Sequence, residues 1–106
     1  MAQYDVFVNP SPTSRLAVPY VVDVQSGLLG ALRTRLVMPL SRVGLIAPSS
    51  AKRLAPVFTV DGERLALLAH QASPVEARLL KRAVATLSPS AGDIRDALDA
   101  VVSGIS

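Results

Sequence analysis

No cysteine and no tryptophan occur among the 106 residues, and there is only one histidine. The lack of cysteine excludes a disulfide scaffold and any thiolate-based metal site or catalysis. Aromatic residues make up only 4% of the chain, so a core has to be assembled from Leu, Val, Ile and Ala. The six glycines are isolated, which leaves no glycine-rich loop to cradle a phosphate. Zinc-type ligand spacing is absent as well. No run of about 18 apolar residues exists to span a membrane. The first ten residues, MAQYDVFVNP, lack the basic segment followed by an apolar stretch that marks a signal peptide. These absences set the expectation of a cytoplasmic protein with no cofactor and no membrane association.

Charge is also sparse. Charged residues amount to 18% of the chain, with a net charge of +3. Nine of the basic residues are arginines scattered along the sequence, with no basic stripe and no interleaved aromatics of the kind that bind nucleic acid. A mildly basic surface favours an acidic partner.

What is present is apolar: 50% of the residues are hydrophobic, far from a disordered composition. The length suits one domain, residues 1–106. A domain this small buries modest area by itself, and the apolar excess points to a homodimer.

Hydrophobic alternation places strands at Tyr4–Val8, Leu16–Val24 (with Pro19 as a bulge or edge) and Arg33–Leu40, the last ended by Pro39. The two runs VFTV and ERLALL flank Asp61-Gly62. That pair predicts a two-residue type I′ hairpin, in which both turn residues need positive φ. On propensity, residues 73–87 favour a helix with Val75, Leu79, Ala83 and Leu87 on one face. From about residue 90 to 103 a helix is expected, with Ser90 as N-cap, Asp93 in the first turn and Gly104 as the stop. Ile94, Leu98 and Val101 share one face of it, with Ala97 beside them. Ile105 then stands as an apolar residue beyond the stop, in a tail of residues 104–106, where it is not needed to end the helix.

Single residues with chemical potential are few. His70 reads as a surface or strand-end residue rather than a base, since no nucleophile has recognisable context beside it. Asp93, Asp96 and Asp99 line one side of the last helix, the pattern of a solvated acidic face.

Three stretches, VVDVQSGLL (21–29) with TRLVMPL (34–40), LAPVFTVDGERL (54–65) and DIRDALDAVVSGI (93–105), resemble in order and spacing the CcdB family, toxins of bacterial toxin–antitoxin modules. The resemblance implies a mainly β fold with a C-terminal helix: a small SH3-like barrel, built as a five-stranded antiparallel sheet with a smaller second sheet, shared with ribonuclease toxins. It implies that residues 73–87 are part strand, against their propensity. It further implies a homodimer that is not an enzyme and that poisons the DNA gyrase A subunit. A cognate antitoxin would neutralise it and, with it, repress the operon, so that operator DNA is met only through the antitoxin. Carried over residue by residue, gyrase binding falls on Leu28, Leu29, Asp99, Ser103, Gly104 and Ile105. The family ends in Trp-Gly-Ile, and Ser103 stands where the tryptophan is expected. That departure motivates an alternative, a weakly toxic or non-toxic homologue acting through antitoxin binding. A ribonuclease toxin of the related fold is a further alternative, with Arg15, Arg33 and Arg35 as its candidate cations.

Overall fold

The structure is a computed structural model that describes residues 2–27, 31–42 and 55–103. It is mainly β, a curled antiparallel half-barrel closed by a C-terminal helix. The strands are β1 (Asp5–Val8), β2 (Tyr20–Asp23), β3 (Thr34–Arg42), β4 (Val57–Val60), β5 (Glu63–Leu67), β6 (Ser73–Glu76) and β7 (Ala83–Thr86), and the helix is α1 (Ala91–Ser103). Among the described residues all seven strands join one network in the order β4-β5-β3-β2-β1-β7, with β6 also on β3. The small second sheet expected beside the main one is therefore continuous with it, because β3 is long enough to hold two partners on one edge. Its first half pairs with β6 (Leu36↔Pro74) and its last residues with β5 (Leu40↔Leu67).

That sharing explains a proline in mid-strand. β3 does not end at Pro39 but runs on to Arg42. The carbonyl of Pro39 accepts the Leu68 N–H at 2.9 Å. In a pleated strand the N–H and C=O of one residue point to the same side, so the missing N–H of Pro39 falls between β6 and β5. No ladder bond to β2 is lost there.

Two other expectations are revised, and residues 73–87 follow the resemblance rather than propensity. Tyr4 lies outside β1 with φ 73°, its carbonyl taking the Leu87 N–H at 2.8 Å. The second strand starts at Tyr20, not Leu16, because the preceding segment is folded back on buried Asn9. The Asn9 amide donates to the Ser14 Oγ at 2.9 Å and to the Val18 carbonyl at 2.8 Å, and its Oδ1 accepts the Ser11 N–H. Residues 73–87 form β6 and β7, as the resemblance implies and against their own helix propensity. β6 satisfies the free edge of β3 and β7 that of β1, and these long-range ladders outweigh local helix preference. The Asp61-Gly62 hairpin forms as its residues require, with φ 51° and 79° and Val60 opposite Glu63.

Alternation along the strands sends side chains to two faces. Val6, Val22 and Met38, opposite one another across β1, β2 and β3, join Leu40, Leu65 and Leu67 in the main core. The helix covers this face, and its Ile94 and Ala97 belong to that core. Phe7, Val21 and Val37 point the other way and are covered by Leu80, from the connection between β6 and β7, with Val75 against them.

Candidate functional site

The site begins from an amphipathic helix whose stripe differs by one position from the expected one. The buried residues of α1 are Ile94, Ala97 and Ala100, and Leu98 packs partly against the core. Val101, expected on the buried face, is 36% exposed, and Val102 is 78% exposed. Small alanines let the helix sit closely on the turn at Ala69, itself buried, so the stripe is centred on Ala97. The last turn, from Val101 to Ser103, has no buried residue and presents apolar surface to solvent. Val102 is a contact candidate that the sequence reading passed over. The signal was there, since Val102 stands about 80° from Ile94 on a helical wheel at 3.6 residues per turn, off the apolar face.

Of the six residues carried over by resemblance, Asp99 and Ser103 are described, and both are exposed. They lie one turn apart, and the Ser103 hydroxyl donates to the Asp99 backbone carbonyl at 2.7 Å. Such back-bonding satisfies a carbonyl at the helix C-terminus, where four carbonyls have no intrahelical partner. Leu28, Leu29, Gly104 and Ile105 lie outside the described residues.

The segment leading to Leu28 is anchored by a buried polar network. The Asp23 side chain is fully buried and that of Arg35 is 5% exposed. The Arg35 Nε and Nη2 both lie 2.8 Å from Asp23 Oδ2. The second carboxylate oxygen accepts the Gln25 N–H at 3.0 Å, as in an Asx turn. Arg35 Nη2 also donates to the Gln25 carbonyl at 3.3 Å, and the Gln25 Oε1 accepts the Leu36 N–H at 3.0 Å. The Asp-Val-Gln motif thus directs the chain out of β2 by clamping Gln25 between two strands.

This arrangement removes Arg35 from the set of candidate catalytic cations, because its guanidinium is committed to Asp23. Arg33 lines a surface cleft with Thr34, Glu76 and Arg78, in which Glu76 is already paired with Arg78 at 2.6 Å. Arg15 lines a different groove, with Lys81 and Arg82. The three arginines proposed for ribonuclease chemistry are therefore not assembled in one site. His70 is exposed in the turn Ala69–Gln71. Asp93, Asp96 and Asp99 are all exposed. Among the described residues no group of acidic, histidine or cysteine side chains is placed to hold a metal ion, and no helix is long and apolar enough to cross a membrane.

Compared with known protein families, the chain matches the model described as CcdB protein over residues 3–104.

Proposed function

The chain belongs to the CcdB family, a membership that suggests the toxin of a toxin–antitoxin system, and we propose that it acts by binding the DNA gyrase A subunit and inhibiting or poisoning that enzyme rather than by catalysis. The observation that carries this reading is the family match from residue 3 to 104, which takes in both the clamped Asp23–Gln25 segment and the whole of α1. On this reading the protein is a cytoplasmic homodimer. A cognate antitoxin neutralises it and joins it in repressing their operon, with operator DNA contacted only through the antitoxin.

The contact surface is the last turn of α1 with the tail beyond it, Asp99, Ser103, Gly104 and Ile105, together with Leu28 and Leu29. A tryptophan at position 103 would supply a hot spot whose loss costs at least about 2 kcal/mol, roughly thirtyfold in affinity. Exposed Val102 offers partial compensation, since full burial of a valine is worth about 1.5–3 kcal/mol.

Purified protein added to gyrase in supercoiling and DNA-cleavage assays tests the reading. Inhibition or trapped cleavage that disappears on deletion of residues 104–106 is expected. A folded protein that leaves both assays unchanged at high excess would sink it.

The Ser103 hydroxyl, turned back onto the Asp99 carbonyl, favours one alternative, a non-toxic homologue that works through its antitoxin. Tight antitoxin binding without any gyrase effect is the outcome that selects it.

A further inference from the structure

Two arginines share one cleft where β3 meets β6. The cleft holds about 570 Å³ and is lined by Arg33, Thr34, Glu76, Ala77 and Arg78. It forms where the ladder between the two strands ends. Thr34 opposite Glu76 is the terminal pair, and one step beyond it the Ala77 N–H donates to the Arg33 carbonyl at 2.8 Å. The chain then tightens into the turn Ala77–Leu79, which carries Arg78 to the cleft that Arg33 lines.

Both arginines stand on fixed backbone. Two positions after Arg33, Arg35 is held in its buried ion pair with Asp23. Two positions after Arg78, Leu80 is buried with Phe7, Val21 and Val37, and its N–H closes the turn onto the Ala77 carbonyl at 3.0 Å. A frame that is already ordered has less entropy to lose when a ligand binds.

The charges in the cleft do not balance. Two guanidinium groups face one carboxylate, an excess of one positive charge. Glu76 holds Arg78 by its Nε at 2.6 Å. The Arg33 guanidinium has no hydrogen-bond or ion-pair partner among the described residues. Since the Glu76–Arg78 pair is largely exposed, it opens at little cost.

We propose that this cleft binds a phosphate monoester, its charged group held between Arg33 and Arg78 with the Thr34 hydroxyl beside it. Guanidinium forks match phosphate oxygens through paired N–H···O bonds. A phosphate monoester carries a charge of about −1.5 to −2 at pH 7, so it serves both arginines once Glu76 swings aside. A carboxylate carries one charge and serves one of them. The volume falls within the range of small-ligand clefts, about 300–1,000 Å³. It exceeds what a bare phosphate fills, which leaves room for a small organic body against Ala77 and the apolar stems of the arginines. A nucleobase has no aromatic side chain to stack on here. The same charged group occurs on small metabolites and on phosphorylated side chains, and the test separates these two sources. The proposal does not rest on gyrase binding.

Glycerol 3-phosphate and a blocked tripeptide centred on phosphoserine are titrated into the full chain by isothermal calorimetry, with the amide NMR shifts of Thr34 and Ala77 reporting the site. At least one should bind about tenfold more tightly than inorganic phosphate and than glycerate, and the tighter of the two names the source. Arg33→Gln should weaken that binding at least about tenfold, because bonds to a charged group are lost. Glu76→Gln should strengthen it about two- to fivefold by freeing Arg78, a gain that a purely structural role for Glu76 does not produce. Arg95→Gln, on the exposed side of α1, should leave it unchanged, and all three variants should keep the circular dichroism spectrum of the parent. Inorganic phosphate or glycerate binding as tightly as the monoesters overturns the proposal. So does weaker binding by Glu76→Gln, an equal loss in Arg33→Gln and Arg95→Gln, or binding that leaves the Thr34 and Ala77 amides unmoved.

Discussion

Replacing Arg35 by alanine removes one half of an ion pair whose two side chains are 5% and 0% exposed. The remaining Asp23 carboxylate would keep the Gln25 N–H bond but would have no counter-charge among the described residues. Leaving a buried charge in that state costs about 3–5 kcal/mol, against a total stability of about 5–15 kcal/mol for a domain of this size. At roughly 4–8 °C per kcal/mol the melting temperature should fall by about 12–40 °C. The internal control is Arg78→Ala. Its pair with Glu76 is 77% and 55% exposed, and such pairs contribute at most about 1 kcal/mol. The doubly apolar variant Asp23→Leu with Arg35→Met removes both charges and should be less damaged than Arg35→Ala alone. It still loses the bonds from Asp23 and Arg35 to the Gln25 backbone, a cost of about 1–3 kcal/mol. Far-UV circular dichroism during urea and thermal unfolding measures all three, since the chain has no tryptophan to follow by fluorescence. The reasoning is refuted if Arg35→Ala costs no more than Arg78→Ala, or if the double variant is damaged at least as much as Arg35→Ala.

Gly62→Ala should destabilise by about 1–2 kcal/mol, and Gly62→Asn by less. The cost is conformational, since a Cβ at Gly62 would meet nothing within 4 Å but the φ of +79° remains; equilibrium unfolding of both variants checks it. Asn9→Ala removes two donated bonds and one accepted bond from the loop after β1. A loss of about 1–3 kcal/mol should accompany faster hydrogen exchange at the Ser11 amide. Val102→Asp should leave stability within about 0.5 kcal/mol, as exposed positions do. The same variant should reduce gyrase inhibition at least tenfold if Val102 helps to stand in for the family tryptophan, because a buried unpaired carboxylate costs well over 1.4 kcal/mol; an inhibition curve that superimposes on that of the parent would remove Val102 from the contact.

Where the deciding forces are local, the sequence by itself determined the structure. The Asp61-Gly62 turn needed only two residues that tolerate positive φ between two β-rich runs, and both adopt it. The helix from residue 91 was legible because its apolar spacing acts over a few residues, although Ser90, expected as its N-cap, lies in the 3-10 turn Ser88–Ser90 that leads into it. Family membership was also written in short stretches, the Asp-Val-Gln-Ser element among them, and the match over residues 3–104 bears that out. Residues 73–87 went against their own propensity, because the open edges of β1 and β3 are made by segments more than thirty residues away in the chain and cannot be seen from within the window. Pro39 looked like a strand end, and only the gap between β5 and β6 made room for it. The ionic clamp was likewise invisible, since Asp23 and Arg35 sit on different strands and meet only when β2 pairs with β3. Four of the six residues that the resemblance singled out, Leu28, Leu29, Gly104 and Ile105, lie outside the described residues. At the tip itself, tertiary structure decided which apolar residues are left for a partner. Among the described residues the buried stripe of the helix stops at Ala100, which leaves Val101 36% and Val102 78% exposed.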